Sequence, residues 1–122
     1  IRQPLYAVTA EDDHIAPWQQ CFRICNHVPA EKRFVLSSSG HILGIVNPPV
    51  SPPKRSYHAG VAHRRDRFPQ WQARAEEHAG SWWEDWMAWL KPQAGPLVDA
   101  WPAATKQYPN LADAPGTYVL ET

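Results

Sequence analysis

Short apolar runs and one helical repeat organise the first third of the chain. Residues 5–8 are continuously apolar, which is typical of a short strand that is buried on both faces. Over residues 17–28 apolar side chains recur at helical spacing, and this spacing predicts one helix that ends before Pro29. Residues 33–36 predict a second strand, which leads into a turn of small residues at 37–42.

A strand, a helix and a strand in this order predict a βαβ unit with two parallel strands. Asp13 follows the first strand and His41 follows the second, so we expect both at the same edge of the sheet. Neighbouring strands lie ~4.8 Å apart, which is close enough for side chains at adjacent strand ends to meet. The pattern of strands and turns therefore predicts an Asp–His pair.

Proline interrupts the apolar pattern in the middle of the chain. We predict an irregular segment over residues 46–68, because its prolines cannot continue a helix and pair poorly in a strand. Five lysines and arginines fall within 54–67, which indicates a solvated loop or, alternatively, contact with substrate phosphates. Residues 70–79 are predicted to be helical up to a break at Gly80.

The most aromatic part of the chain is a helix that we predict over residues 82–90. Ser81 as N-cap, with Glu84 three residues later, matches a capping box, and Lys91-Pro92 is expected to end the helix. One face carries large apolar side chains, namely Trp82, Trp86, Trp89 and Leu90, widened by Trp83 and Met87. We expect this face to pack in the core; a partner interface and an anchor on a hydrophobic surface are the alternatives.

Composition bounds the class of protein. The chain has 122 residues, 43% of them hydrophobic, which is enough to build a core, and its 12 basic residues balance its 12 acidic ones. This balance argues against a dedicated nucleic-acid binder, and no apolar run is long enough to span a bilayer. The first residues show no signal-peptide pattern. The chain begins with Ile1 instead of Met and enters a strand within a few residues, so we expect the C-terminal piece of a longer protein.

The two cysteines, Cys21 and Cys25, are too few for a disulfide framework. They are four residues apart in a predicted helix and therefore share one of its faces. We expect buried thiols in a reducing cytosol. A metal site would need further ligands at chelating spacing, which the sequence does not offer, so we expect no bound metal.

An acid that orients a histidine, which in turn serves a nucleophile, is the arrangement of a catalytic triad. In α/β-hydrolase folds the chain order is nucleophile, acid, histidine, and Asp13 and His41 match the last part of that order. The sequence contains no Gly-x-Ser-x-Gly elbow or cysteine equivalent, because neither cysteine is flanked by glycines. We predict an acid and a base without their nucleophile. Asp12 is the alternative acid, and His14 is expected to serve local structure.

Four blocks of the sequence resemble the C-terminal region of polyhydroxyalkanoate synthases, most closely those of classes I and II. They are Glu-Asp-Asp-His-Ile-Ala-Pro-Trp at 11–18, Ser-Gly-His-Ile-Leu-Gly-Ile-Val-Asn-Pro-Pro at 39–49, Gly-Ser-Trp-Trp-Glu-Asp-Trp-Met-Ala-Trp-Leu at 80–90 and Ala-Pro-Gly-Thr-Tyr-Val at 114–119. The blocks occur in the family's order over nearly the whole chain. Residues 51–68 depart from the family pattern, because they are longer and more basic than usual.

The resemblance implies an α/β fold, namely the C-terminal part of an α/β-hydrolase fold. This part would contain the last parallel strands of the sheet with flanking helices, followed by the Trp-rich helix and an irregular tail. Residues 1–92 would form the C-terminal portion of the catalytic domain, and residues 93–122 a Pro- and Ala-rich tail.

The resemblance also implies an activity. Such synthases are acyltransferases that polymerise (R)-3-hydroxyacyl-CoA into polyester, with release of CoA, at the surface of cytoplasmic storage granules. His41 would deprotonate a cysteine upstream of this chain, and Asp13 would orient His41 or help to activate the hydroxyl of the incoming unit. The implied partners are the acyl-CoA, the growing polyester, a second copy of the full-length enzyme and granule-associated proteins. No cofactor, nucleic acid or transmembrane segment is implied, and the chain alone is expected to be inactive.

A non-catalytic binding module is the competing interpretation. In that case the Trp-rich helix would contact polyester granules or a partner protein, and Asp13 and His41 would have no catalytic role.

Overall fold

Four strands form one mixed sheet over residues 1–121, the part of the chain that the computed structural model describes: β1 (Leu5–Ala10), β2 (Lys32–Ser37), β3 (Ser56–Val61) and β4 (Glu76–Ala79). The order in the sheet is β1-β2-β3-β4. β1 and β2 pair in parallel, with Leu5 opposite Lys32 and Ala10 opposite Ser37, as the βαβ pattern predicts. β3 runs antiparallel to β2, and β4 runs antiparallel to β3, so the predicted set of parallel strands holds only for β1 and β2.

Four helices and one 3-10 turn accompany the sheet in the same residues: α1 (Trp18–Cys21), α2 (Ile24–His27), α3 (Phe68–Gln72), α4 (Trp82–Ala94) and a 3-10 turn at Tyr118–Leu120. None of the helices in residues 1–121 has the length and apolarity that crossing a bilayer requires. The predicted tail, 93–122, is irregular from Gly95 to the 3-10 turn, and its last residue lies outside the described part.

The single helix predicted over residues 17–28 is wrong, because the crossover consists of the two short helices α1 and α2. Around Phe22 the backbone bonds change to the i→i+3 type, as in Cys25 N to Phe22 O at 3.1 Å. Helices of one turn are marginal by themselves, so packing decides their geometry. The predicted apolar stripe is kept, since Phe22, Cys25 and Val28 are all buried.

Side chains of β2 alternate between two hydrophobic clusters, one on each face of the sheet. Phe34 and Leu36 belong to the cluster beneath α1, α2 and α3, together with Phe22, Cys25, Ala62 and Trp71. Val35 belongs to the opposite cluster, with Tyr57, Ala59 and Trp82. Both faces of the sheet are therefore covered, and β2 is the buried centre of the fold.

The prediction of an irregular segment over 46–68 is wrong where β3 forms. Tyr57 and Ala59 are buried, while their neighbours Ser56, His58 and Gly60 are half-buried, which is the alternation of a strand. The prolines that precede this strand mask the signal, because they lie in the loop and not in the strand itself.

The helix predicted over residues 70–79 is also wrong. Only Phe68–Gln72 is helical, and Glu76–Ala79 pairs with β3 as the strand β4. Alanine and glutamate favour a helix, but pairing with a strand satisfies the same backbone groups and overrides that weak preference. Gly60 allows the close approach, since a Cβ at this position would lie 3.2 Å from Ala75 Cα.

Two further expectations need correction. Residues 5–8 are half-buried and not buried on both faces, because β1 pairs only with β2 and forms an edge of the sheet in residues 1–121. The Trp-rich helix does not end at Lys91-Pro92, because it includes Pro92 and continues to Ala94. Gly95 caps the helix after Ala94, and its φ of 75° lies in the left-handed region that favours glycine.

The Trp-rich helix α4 is joined to the sheet by one carboxylate. Asp85 accepts hydrogen bonds from Tyr6 Oη at 2.8 Å and from Arg33 Nε at 2.7 Å, and it also pairs with Arg33 Nη2. Burial raises the pKa of the Asp85 carboxyl, but the bonds from Arg33 and Tyr6 outweigh burial and the net pKa is lowered. Because Tyr6 lies on β1 and Arg33 on β2, one side chain fixes α4 to both parallel strands.

Candidate active site

The structure brings Asp13 and His41 together, with Asp13 Oδ2 2.8 Å from His41 Nδ1. Asp13 follows β1 and His41 follows β2, so parallel pairing places both at the same edge of the sheet. Two further bonds continue that pairing past the strand ends: Glu11 N donates to Ser37 O at 2.8 Å, and Asp12 N donates to Ser39 O at 3.0 Å. The two loops therefore leave the sheet side by side.

Asp13 is a fixed carboxylate. Its Oδ1 accepts hydrogen bonds from Ala16 N at 2.8 Å and from Ile15 N at 2.9 Å, while its Oδ2 faces His41. The bond from Ala16 N, followed by the contact with His41, lowers the pKa of the Asp13 carboxyl. An ionised Asp13 accepts hydrogen bonds only, so the Nδ1 that faces it must carry the proton.

The Nδ1–H tautomer has a chemical consequence for His41. In a neutral imidazole only one nitrogen is protonated, so Nε2 has a free lone pair that can accept a proton. The His41 side chain is 46% exposed, against 6% for Asp13, which makes the imidazole accessible and its carboxylate partner inaccessible. The pair has the arrangement of an oriented general base.

The alternative assignments do not share this geometry. Asp12 is exposed, and its contribution to the loop is the backbone bond to Ser39. His14 is exposed beside Asp13, but the carboxylate of Asp13 faces His41. Among the described residues, Asp13 and not Asp12 is the acid in contact with the histidine.

A compact turn carries His41. Ser39 has a φ of 79°, which reverses the chain after β2, and Gly44 N then donates to Gly40 O at 2.8 Å. Gly44 is buried against β1: a Cβ at this position would lie 2.5 Å from Ala10 Cβ and 2.8 Å from Gly40 O. No side chain fits there, so the turn can close on β1 only with glycine at position 44.

The start of α4 holds the other side of this turn, a feature that sequence reasoning missed. Trp82 Nε1 donates to Gly44 O at 3.0 Å, and Trp83 Nε1 donates to Ile45 O at 3.1 Å. The Ser81 hydroxyl donates to the Asn47 carbonyl and accepts from Trp83 N at 3.0 Å, which confirms Ser81 as the predicted N-cap. The tryptophans themselves were the available clue in the sequence, because the indole N–H group of a buried tryptophan needs a hydrogen-bond acceptor.

Apolar side chains surround the exposed edge of His41. A shallow cavity of about 280 Å³ lies between the Asp13 loop and the His41 turn, and its apolar lining includes Ile15, Ile42 and Leu43. All three side chains are more than half exposed. This surface suits an apolar ligand or the packing of another apolar segment.

Within residues 1–121, the cysteines and the basic segment are not among the hydrogen-bond partners of Asp13 and His41. Cys25 is buried, and burial raises the pKa of its thiol, while Cys21 is half-buried and its Sγ donates to Ala16 O at 3.7 Å. Residues 1–121 contain no group of three His, Cys, Asp or Glu side chains that could hold a metal ion. The basic residues of segment 54–67 flank β3 on both sides.

Comparison with known proteins identifies relatives along nearly the whole chain. It is 40% identical over 119 residues to "Poly(3-hydroxyalkanoate) polymerase" of Methylorubrum extorquens, which covers 98% of this chain and 20% of that protein. It is 39% identical over 123 residues to "Poly(3-hydroxyalkanoate) polymerase 1" of Ectopseudomonas oleovorans, covering 99% of this chain and 22% of that protein. It is 42% identical over 118 residues to "Poly(3-hydroxyalkanoate) polymerase subunit PhaC" of Cupriavidus necator, covering 95% of this chain and 20% of that protein.

The chain therefore spans about a fifth of the length of these curated relatives. No family model matches the sequence. The resemblance that the four sequence blocks indicate is confirmed by the relatives' identity over nearly all of the chain.

Proposed function

This chain is a homologue of one segment of the poly(3-hydroxyalkanoate) polymerases, and from that premise we propose that it supplies the acid and the base of a polymerase active site. The observation that carries the proposal is the 2.8 Å contact between Asp13 Oδ2 and His41 Nδ1 at the shared end of two parallel strands. The full-length enzyme is an acyltransferase that joins (R)-3-hydroxyacyl units from their CoA thioesters into polyester and releases CoA.

The acid–base half is proposed to belong to the C-terminal part of an α/β-hydrolase fold. Residues 1–92 form the C-terminal portion of the catalytic domain, and residues 93–122 form the Pro- and Ala-rich tail. The parallel pair β1–β2, with the acid after one strand and the histidine after the next, supports this assignment. β3 and β4 then extend the sheet as an antiparallel addition.

The first chemical step forms an acyl-enzyme. His41 Nε2 takes the proton of a cysteine thiol supplied by the rest of the polymerase, and the thiolate attacks the carbonyl carbon of the acyl-CoA. The bond between that carbon and the CoA sulfur breaks, and the leaving sulfur takes the proton from His41. Asp13 stabilises the imidazolium that forms in between, because its ionised carboxylate stays hydrogen-bonded to Nδ1–H.

The second step elongates the polyester. His41 accepts the proton of a 3-hydroxyl group, whose oxygen attacks the carbonyl carbon of an acyl thioester and forms the new ester bond. The released thiolate takes the proton back. The first step moves an acyl group from one sulfur to another, and the second moves it from sulfur to oxygen. Neither step changes an oxidation state, so the proposal includes no cofactor. The proposed location is the surface of cytoplasmic polyester granules, with a second enzyme copy and granule-associated proteins as partners.

A chimera tests the proposal. Residues 1–122 replace the aligned segment of the Methylorubrum extorquens polymerase, to which they are 40% identical. We expect this chimera to release CoA from (R)-3-hydroxybutyryl-CoA and to form polyester, whereas the same polymerase with the segment deleted releases none. Thiol titration measures CoA, and solvent extraction measures polymer.

The proposal would be contradicted by a chimera that folds but does not convert its substrate. If it matches the parent polymerase in circular dichroism and melting temperature but releases no CoA, this chain does not supply the acid and the base.

A binding module is the second candidate, because part of the α4 face stays exposed. Trp86 is 37% exposed and Met87 is 57% exposed, whereas Trp82 is buried at 8%. Contact with polyester would therefore use Trp86 and Met87, and not Trp82. Retention of the chain on polyester particles that is lost with Trp86→Ser but kept with His41→Asn would favour this candidate.

A further inference from the structure

His41 begins a backbone turn, residues 41–46, that contains no strand or regular helix. Regular secondary structure therefore does not fix the backbone that carries the imidazole. Asp13 fixes the imidazole ring, but a ring keeps its position only if the backbone beneath it does. The position of His41 Nε2 therefore depends on what holds this turn.

Two indole groups hold it. The bonds from Trp82 Nε1 to Gly44 O and from Trp83 Nε1 to Ile45 O join consecutive carbonyl groups of the turn to consecutive residues of α4. Gly44 and Trp82 are both buried, so water cannot replace this bond without opening the core.

The indoles are themselves fixed to the strands that lead to Asp13 and His41. Asp85, on the same first turns of α4, binds Tyr6 of β1 and Arg33 of β2. The ring of Tyr6 also packs against Trp82, with ring centroids 6.1 Å apart. Direct contacts therefore connect α4 to β1, to β2 and to the turn that carries His41.

We propose that Trp82 and Trp83 are positioning residues for the acyl-transfer reaction: their indole N–H groups hold the turn so that His41 meets Asp13 and directs Nε2 towards the nucleophile. The inference rests on the proposed function. It assigns to the Trp-rich helix a role in the chemistry, in addition to its packing role.

The test removes the N–H groups and keeps the rings. In the chimera, Trp83→Phe is expected to lower kcat for CoA release about tenfold, with KM for (R)-3-hydroxybutyryl-CoA unchanged within about twofold. Trp82→Phe is expected to lower kcat further, up to about a hundredfold. Trp83 is only half-buried, so its variant keeps the test open if Trp82→Phe fails to fold.

Trp71→Phe is the matched control. Trp71 is fully buried, and its Nε1 also donates to a glycine carbonyl, Gly60 O at 3.2 Å, but on the opposite face of the sheet. It should lower the melting temperature at least as much as Trp83→Phe and leave kcat within about twofold. Loss of stability alone would then be excluded as the cause of the slower turnover.

A double-mutant cycle identifies the group through which Trp83 acts. If Trp83 positions His41, then Trp83→Phe added to His41→Asn slows turnover no further than His41→Asn does alone. The inference would be overturned if the effects of Trp83→Phe and His41→Asn multiplied, or if Trp71→Phe slowed turnover as much as Trp83→Phe. The proposed function would stand in either case. A chimera in which His41→Asn turns over normally would overturn both.

Discussion

His41→Asn is expected to lower the rate of CoA release by the chimera at least about a thousandfold. Asparagine keeps a hydrogen-bonding group opposite Asp13 but has no lone-pair nitrogen that accepts a proton near neutral pH. Both acyl transfers would lose the group that takes the proton from the thiol and from the 3-hydroxyl. Stopped-flow measurement of CoA release separates the first turnover from the steady state, and the loss should appear in both.

His14→Asn is the matched control, since His14 is adjacent to Asp13 in sequence and exposed, yet His41 makes the contact with the carboxylate. We expect this variant to keep its turnover within about twofold. If His14→Asn lost activity and His41→Asn kept it, the base would be assigned to the wrong histidine.

Asp13→Asn is expected to lower turnover by about two to four orders of magnitude. The amide oxygen of asparagine can still accept the bonds from Ile15 and Ala16, so the loop should keep its shape. Its NH₂ group would then face His41 Nδ1 and donate to it, which moves the imidazole proton to Nε2 and blocks proton acceptance there. The melting temperature should change little compared with the rate.

Asp12→Asn gives the comparison that decides between the two acids. Asp12 is exposed, so we expect at most a twofold effect on turnover, about the size of an ordinary surface substitution. A larger loss with Asp12→Asn than with Asp13→Asn would move the role of the acid to Asp12.

The lowered pKa of Asp13 adds a pH dependence to the same pair of variants. Because its folded-state pKa lies below the ordinary value of 3.8, the ionised carboxylate stabilises the fold above that pH. This contribution is lost as the pH falls from 3.8 through the folded-state pKa. The melting-temperature difference between the parent and Asp13→Asn should therefore shrink as the pH falls into strong acid.

The sequence predicts the Asp–His pair because parallel pairing leaves few alternatives. Once residues 5–8 and 33–36 are taken as strands joined by a crossover, the residues after both strands must share an edge. The prediction also tolerates errors in the crossover: one helix or the two helices α1 and α2 bring the chain back to the same edge.

The antiparallel half of the sheet could not be predicted in this way. β4 is four residues of Glu-Glu-His-Ala, whose local preference favours a helix, and only its pairing with β3 makes it a strand. The bonds from Trp82 and Trp83 to the His41 turn were missed for a related reason. They join residues 38 positions apart, and no local pattern carries that information.

The contact of Gly44 with Ala10 has a consequence for searching genomes. Asp and His are common residues, so a sequence that aligns with Asp13 and His41 is weak evidence of a working pair. Glycine at position 44 is a stricter requirement. A Cβ there would lie 2.5 Å from the Cβ of Ala10 on β1, so any larger residue would push the turn away from the strand. Homologues with a side chain at this position are expected to be inactive paralogues even when both the acid and the base are retained. Gly44 is therefore a more selective marker of a working Asp–His pair in new sequences than the two catalytic positions alone.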